Sequence, residues 1–324
     1  MPETPPLIDT QLLAKLERLA IHWQKSLPGA VGGHNTSRFA GSGQEFLDHR
    51  QFHHGDDLRD VNWRAFLRLE KMFLKMFQLE PRIPVRVLVD VSKSMTTGGD
   101  TKGALSTFDR ARPVGALSTF AHARPVGALS KFDYARKLAA ALCYVALVRL
   151  DSIYLQPFAE KLGDPLRLGG GRHRFQPVVD YISALRPGGS TSFMQITRDF
   201  ISRYPQRGLA IIISDFLDDA DCEKPIQYLA DFGHELILVQ VWADEDREPP
   251  WEGELDLEDA ETGGRVQLAF DEAARAAYTA EFDKYALHLR DVALRNGGRY
   301  VGLSTSIAIE DALFGPLVKS GALQ

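Results

Sequence analysis

Asp90, Ser92 and Ser94 stand at alternate positions just beyond Val85–Val89, an almost continuous apolar run interrupted by Arg86. One carboxylate and two hydroxyls spaced in this way can aim hard oxygen atoms at a single point. Oxygen donors of this kind suit Mg²⁺ or Mn²⁺, ions that prefer oxygen and keep several waters. The element that must position them is the run itself, which is rich in β-branched residues and bounded by Pro84 before and Thr96-Thr97-Gly98-Gly99 after. Its length and composition predict a fully buried strand of a parallel sheet. The polar residues then fall at the strand's carboxyl end, where open α/β sheets carry ligand sites.

The Asp90-x-Ser92-x-Ser94 pattern resembles the metal-ion-dependent adhesion site of von Willebrand factor A domains. That resemblance implies two more contributors, a Thr from a second loop and an Asp after a later strand. Thr191, in Gly188-Gly189-Ser190-Thr191, and Asp215, which ends the apolar run Leu209–Ser214, stand in matching order. By the family pattern Ser92 and Ser94 touch the metal directly. Thr191 touches it directly or through water, and Asp90 and Asp215 mostly through water. The family loop reads Gly-Gly-Thr, so here Ser190 and Thr191 compete for one role. The plainer reading of all these residues is ordinary turn and helix-cap chemistry.

Composition narrows the function classes. The 324 residues suffice for one large α/β domain, or for a domain with an appendage. A net charge of −5 without a sustained Lys/Arg run gives no reason to expect nucleic acid. The two cysteines, Cys143 and Cys222, form neither a disulfide framework nor a zinc pattern, which suits a reducing compartment. Met1-Pro-Glu-Thr-Pro-Pro lacks the character of a signal peptide, and no window approaches the ~20 apolar residues of a membrane span. The expectation is a cytoplasmic protein.

Residues 33–64 carry a second pattern: Arg38, Gly41, Gly43 and Glu45, then Arg50, Gly55, Asp56, Asp57, Arg59, Trp63 and Arg64. The Gly-Asp-Asp-x-Arg…Trp-Arg part resembles the signature of the domain of unknown function 58 family. In that family the signature precedes a von Willebrand factor A-like domain, as the order does here. Asn62 departs from the Asp usual before the Trp. The mixed charges read as an ion-pair network fixing a long loop around Phe46, Phe52 and Trp63, or as a partner-docking surface. The resemblance also implies a further partner, an AAA+ ATPase of the MoxR type.

Between Met95 and the next helix the chain repeats itself. Gly103–Val114 recurs as Gly115–Val126, and a third copy, Gly127–Leu138, runs into a long apolar helix capped by Ser130. Pro113 and Pro125 cut the first two copies, which read as a duplicated helix start looped out beside the site.

Downstream, strands and helices alternate, with an excursion at about 252–270 whose Gly-Gly centre signals a β-hairpin. The fold expected is α/β: a doubly wound, mainly parallel sheet of Rossmann type, von Willebrand factor A-like. A loop-rich N-terminal extension and the inserted hairpin complete it. The division expected is 1–80 and 81–324, with the repeat insertion at about 100–126. Glu70–Glu80 is expected to form a strand that makes an antiparallel edge with the buried one.

The function these readings favour is a non-enzymatic interaction module. A metal held by neutral hydroxyls stays electrophilic and takes an acidic side chain from a partner. The alternatives are a metal-dependent hydrolase or phosphotransferase with Asp90 as nucleophile, and a structural domain with a degenerate metal site. Against the enzyme, Ser92 stands where phosphatases of that kind want a second Asp. Gly-x-Ser-x-Gly, Walker A and His-Glu-x-x-His patterns are missing from the sequence.

Overall fold

Val85, Val87 and Val89 bury one side of the strand Pro84–Asp90, and Leu88 is buried on the other. Both faces of a central parallel strand are covered, so its sequence is apolar on both sides apart from Arg86, which is buried with its guanidinium over the Tyr204 ring and on Gln206 C=O. The computed structural model describes residues 8–21, 40–41, 45–53, 61–78, 84–97, 112–113, 129–149, 151–218, 222–258 and 265–324. Its elements in chain order are α1 Thr10–Leu16, β1 Ala40–Gly41, β2 Glu45–Gln51, α2 Trp63–Leu69, β3 Phe73–Gln78, β4 Pro84–Asp90 and β5 Arg112–Pro113. They continue with α3 Lys131–Val148, β6 Ser152–Phe158, β7 Leu166–Leu168, α4 Phe175–Ala184, α5 Phe193–Arg203, β8 Leu209–Ser214, α6 Glu223–Asp231 and β9 Glu235–Trp242. The chain closes with α7 Asp244–Arg247, β10 Gly253–Glu258, β11 Arg265–Phe270, α8 Glu272–Arg295, β12 Arg299–Ser304, α9 Ile309–Phe314 and α10 Pro316–Lys319.

Two units divide the chain, Met1–Lys25 with Ile83–Gln324, and Ser26–Arg82. The larger is a mixed α/β unit built on a six-stranded sheet ordered β12-β9-β8-β4-β6-β7. Its strands are parallel except β7, which pairs antiparallel with β6. Alternate residues feed two cores. Leu209, Ile211, Ile213, Ile237 and Val239 face α1, α3, α4, α9 and α10, while Ala210, Ile212, Leu236 and Leu238 face α5, α6 and α8. Each fully buried aliphatic side chain contributes about 1.5–3 kcal/mol. From β4 the chain crosses through α3 to β6; from β8 it crosses through α6 to β9, on the other side and over the other face. The carboxyl ends of β4 and β8 therefore flank the point where the winding reverses, the place such sheets leave a crevice.

Helix α1 belongs to the larger unit, not with residues up to 80 as the sequence division had it. Leu16 and Leu19 are buried in the core with α3, and Ala20 exchanges backbone hydrogen bonds with Gln324 at 2.8 and 2.9 Å. The chain ends on two short helices, where a single helix over 309–319 is the simplest reading of the sequence, because Pro316 supplies no N–H and Gly315 breaks the run.

The smaller unit corrects a second expectation. Its segment Phe73–Gln78 is a strand, but it lies between β1 and β2 in a three-stranded antiparallel sheet and does not pair with β4. The antiparallel edge of the main sheet is β7. Nor is residues 33–64 all loop: Glu45–Gln51 is a strand and Trp63–Leu69 a helix, with Asn62 capping it through Ala65 N–H at 3.3 Å. An uncharged Asn at that place is an N-cap, which an amide serves as well as a carboxylate.

The hairpin β10–β11 forms as read, and Arg112–Pro113 of the first repeat adds a short antiparallel strand to its β10 edge. The rest of the first two copies, 103–111 and 114–126, lies outside the described residues. The ends of the insertion meet: Lys131 N–H donates to Thr97 C=O at 3.0 Å. Joining Gly99 to Gly127 shortens this loop about fivefold, which lowers the closure cost by about 1.4 kcal/mol. The shortened chain, which loses β5 with the repeats, is expected to unfold in urea at an equal or higher midpoint; a clearly lower midpoint would mean that β5 or the rest of the repeats supports the fold.

Candidate functional site

Asp90 ends β4 with no exposed surface, and both of its oxygens accept hydrogen bonds. Ser92 N–H donates to Oδ1 at 2.8 Å, and Ser214 O–H, at the end of the neighbouring β8, donates to Oδ2 at 2.5 Å. One carboxylate thus fastens the carboxyl ends of the two central strands together. Burial, then the charge of Asp215, pushes its pKa up to about 7 against the pull of the Ser214 and Ser92 bonds.

The chain after Asp90 makes a single 3₁₀ turn, Lys93–Thr96, that turns Ser92 and Ser94 toward each other. Their Oγ atoms are 2.9 Å apart and buried. Thr97 Oγ1 holds the turn by donating to Ser94 C=O at 3.0 Å. The loop carrying Thr191 is fastened to this one by two backbone bonds, Gly188 N–H to Val91 C=O at 2.7 Å and Lys93 N–H to Gly189 C=O at 3.0 Å. Gly189 has φ of +84°, a conformation that a side chain disfavours. Thr191 is buried and Ser190 only half-buried.

Asp215 follows β8 and is buried. Its Oδ1 accepts from Leu217 N–H at 3.2 Å, and its Oδ2 lies 2.8 Å from the ammonium of Lys131. The next residue, Phe216, takes φ of +57°, strained for a side-chain-bearing residue. Three contacts hold it there: a stacked Phe193 ring at 5.3 Å, its N–H on Ser214 Oγ at 2.9 Å, and Tyr285 O–H donating to its C=O at 2.6 Å.

The sequence reading missed Lys131 and Asp246. Lys131 opens α3, is fully buried, and bridges Asp215 Oδ2 at 2.8 Å and Asp246 Oδ2 at 3.0 Å. Burial works to lower its pKa, but the charges of Asp215 and Asp246 and hydrogen bonds to both outweigh it and raise the pKa above the ordinary lysine range. A signal was present: the repeats read Ser106-Thr107-Phe108, Ser118-Thr119-Phe120 and Ser130-Lys131-Phe132, so only the copy that enters the helix has lysine. Asp246 sits in a polar stretch, Ala243–Arg247, that offers no such sign.

Five residues read from the sequence, Asp90, Ser92, Ser94, Thr191 and Asp215, thus come from loops at one end of the sheet. Among the described residues, no three His, Cys, Asp or Glu side chains gather as an ion's ligands. The signature residues belong, where described, to the smaller unit. Gly41, Glu45 and Arg50 lie in β1 and β2, and Trp63 and Arg64 in α2, all in the smaller unit. Trp63 is 53% exposed, not a buried anchor. Arg38, Gly43, Gly55, Asp56, Asp57 and Arg59 lie outside the described residues.

A family model described as a protein of unknown function, DUF58, matches residues 48–127 and 117–286. The two matches overlap within the repeats. Uncharacterized proteins of Mycobacterium tuberculosis and Mycobacterium bovis are each 25% identical over 291 residues, covering 88% of this chain and 81% of theirs. An uncharacterized protein of Mycobacterium avium is 32% identical over 126 residues, 38% of this chain and 72% of its own. Among solved structures, the conserved hypothetical protein BatB from Bacteroides thetaiotaomicron is 16% identical with a TM-score of 0.39, covering 74% of this chain and 98% of its own. An aerotolerance-related membrane protein from Bacteroides fragilis is 14% identical at the same TM-score of 0.39, covering 73% and 99%.

Tyr285→Phe removes the donor that holds the Phe216 carbonyl. The variant is expected to lose about 1–2 kcal/mol of stability in a urea titration, with an unchanged far-UV spectrum.

Proposed function

The chain belongs to the DUF58 family of proteins of unknown function, and from that footing we propose that it is a non-enzymatic interaction module whose divalent metal captures an acidic side chain of a partner protein. The observation that carries this reading is the Ser92–Ser94 pair. Two hydroxyl oxygens 2.9 Å apart match neighbouring corners of an octahedron. For Mg²⁺–oxygen bonds of 2.0–2.1 Å that edge is about 2.9 Å. In this reading the larger unit is a von Willebrand factor A-like domain and the cluster its metal-ion-dependent adhesion site. Ser92 and Ser94 would hold Mg²⁺ or Mn²⁺ directly and Thr191 directly or through water, while Asp90 and Asp215 would act mostly through water. When bound, the ion supplies an electrophilic coordination position that a partner's Glu or Asp can fill.

Asp90 favours this reading over a hydrolase. It is fully buried and both oxygens already accept hydrogen bonds, so it braces the loop and is poorly disposed to attack a phosphoryl group. The partner proposed is a protein with an acidic side chain, a MoxR-type AAA+ ATPase being the candidate the family resemblance implies. The compartment proposed is the cytoplasm; among the described residues no helix is long and apolar enough to cross a membrane.

Millimolar Mg²⁺ or Mn²⁺ is expected to raise the melting temperature, since a ligand of the native state stabilises by mass action, about 2.7 kcal/mol at a hundred times Kd. Asp90→Ala should abolish the rise, and a flat response in the unsubstituted chain would overturn the proposal. A Glu-containing peptide should then bind only the metal-loaded protein. EDTA and Ser94→Ala should weaken that binding by similar, non-additive amounts, because both remove one interaction.

A further inference from the structure

Three carboxylates and one ammonium are buried together at the carboxyl end of the sheet. Asp90, Asp215, Asp246 and Lys131 expose 0, 2, 3 and 0% of their surfaces. Asp90 uses its oxygens on Ser92 and Ser214, so the ammonium is shared by the other two. Asp246 is itself fixed: its Oδ2 also accepts Ala243 N–H at 3.0 Å, and its backbone C=O accepts Tyr278 O–H at 2.9 Å. The lysine is therefore held from two sides, with Asp215 on one and Asp246 on the other.

We propose that Lys131 is a resident cation that competes with the divalent metal for Asp215, and that Asp246 sets the strength of the competition by drawing the ammonium partly away. The inference rests on the metal reading above and gives that site a control it would otherwise lack. Both oxygens of Asp215 are engaged, Oδ1 by Leu217 N–H and Oδ2 by Lys131 Nζ. An incoming ion, or a water bound to it, must share or displace the ammonium, and the two positive charges also repel one another in a poorly screened interior. A purely structural lysine would have the opposite effect, because it would steady Asp215 for the metal. The sign of the change on removing it separates the two roles.

Lys131→Met keeps the length of the side chain and removes its charge. Without metal this variant is expected to melt below the unsubstituted chain, since two buried carboxylates lose their counter-charge. By titration calorimetry with MgCl₂ it should bind at least roughly tenfold more tightly, and Mg²⁺ should raise its melting temperature further than in the unsubstituted chain. Asp246→Asn keeps the Lys131–Asp215 pair and leaves the ammonium wholly to Asp215, so Mg²⁺ affinity should fall. It is the informative variant if Lys131→Met does not fold. Mg²⁺ binding that is unchanged or weaker in Lys131→Met, or unchanged or tighter in Asp246→Asn, would overturn the competition and leave the metal reading standing. No Mg²⁺ response in the unsubstituted chain or in Lys131→Met would overturn both.

Discussion

The carboxyl end of the sheet is organised by the cost of burying charge. An isolated ion taken from water into a protein interior costs several kcal/mol even after relaxation, and partners must return it. The structure supplies them from every direction: a backbone N–H and a serine hydroxyl for Asp90, a backbone N–H and an ammonium for Asp215, the same ammonium and another N–H for Asp246. These partners come from β4, β8, the start of α3 and the stretch after β9, elements far apart in sequence. The charge cluster therefore ties the two central strands, a helix of one face and the loop leading to the hairpin into one arrangement. Strain at Phe216 is held within the same arrangement by Phe193 and Tyr285.

Much of this was legible from the residues. The largely apolar runs ending in Asp90 and Asp215, broken only by the buried Arg86, announce buried strands because both faces are covered, and polarity returns where the strands stop. Ser130 was readable as a cap, and its Oγ accepts Asp133 N–H at 3.0 Å. What stayed hidden depends on pairing. Phe73–Gln78 has the composition of a strand, but nothing local says whether its neighbour is β2 or β4, since either would satisfy its backbone. The short helix Trp63–Leu69 is only two turns long in a stretch of mixed charge, too short for an apolar period to mark it, and Asn62 is its one local sign.

Lys131 was hidden for a different reason. A lysine in the first turn of a helix faces the positive end of the backbone dipole and normally points into solvent. Nothing in its immediate neighbours contradicts that; the two carboxylates that reverse it are Asp215 and Asp246, contributed by later parts of the chain. The repeats alone set it apart, by having threonine in the equivalent places.

That difference fixes how the chain is threaded. Sliding the repeats by one copy would offer Thr119 where Lys131 stands and would carry Pro125 into the body of α3. The first change leaves two buried carboxylates facing each other without a cation, and the second costs about 3 kcal/mol or more in a helix interior. Only the last copy can serve, however many precede it. The number of copies and the charge cluster are thereby separable: a tract one copy longer or shorter still ends in the same lysine, opposite the same two carboxylates.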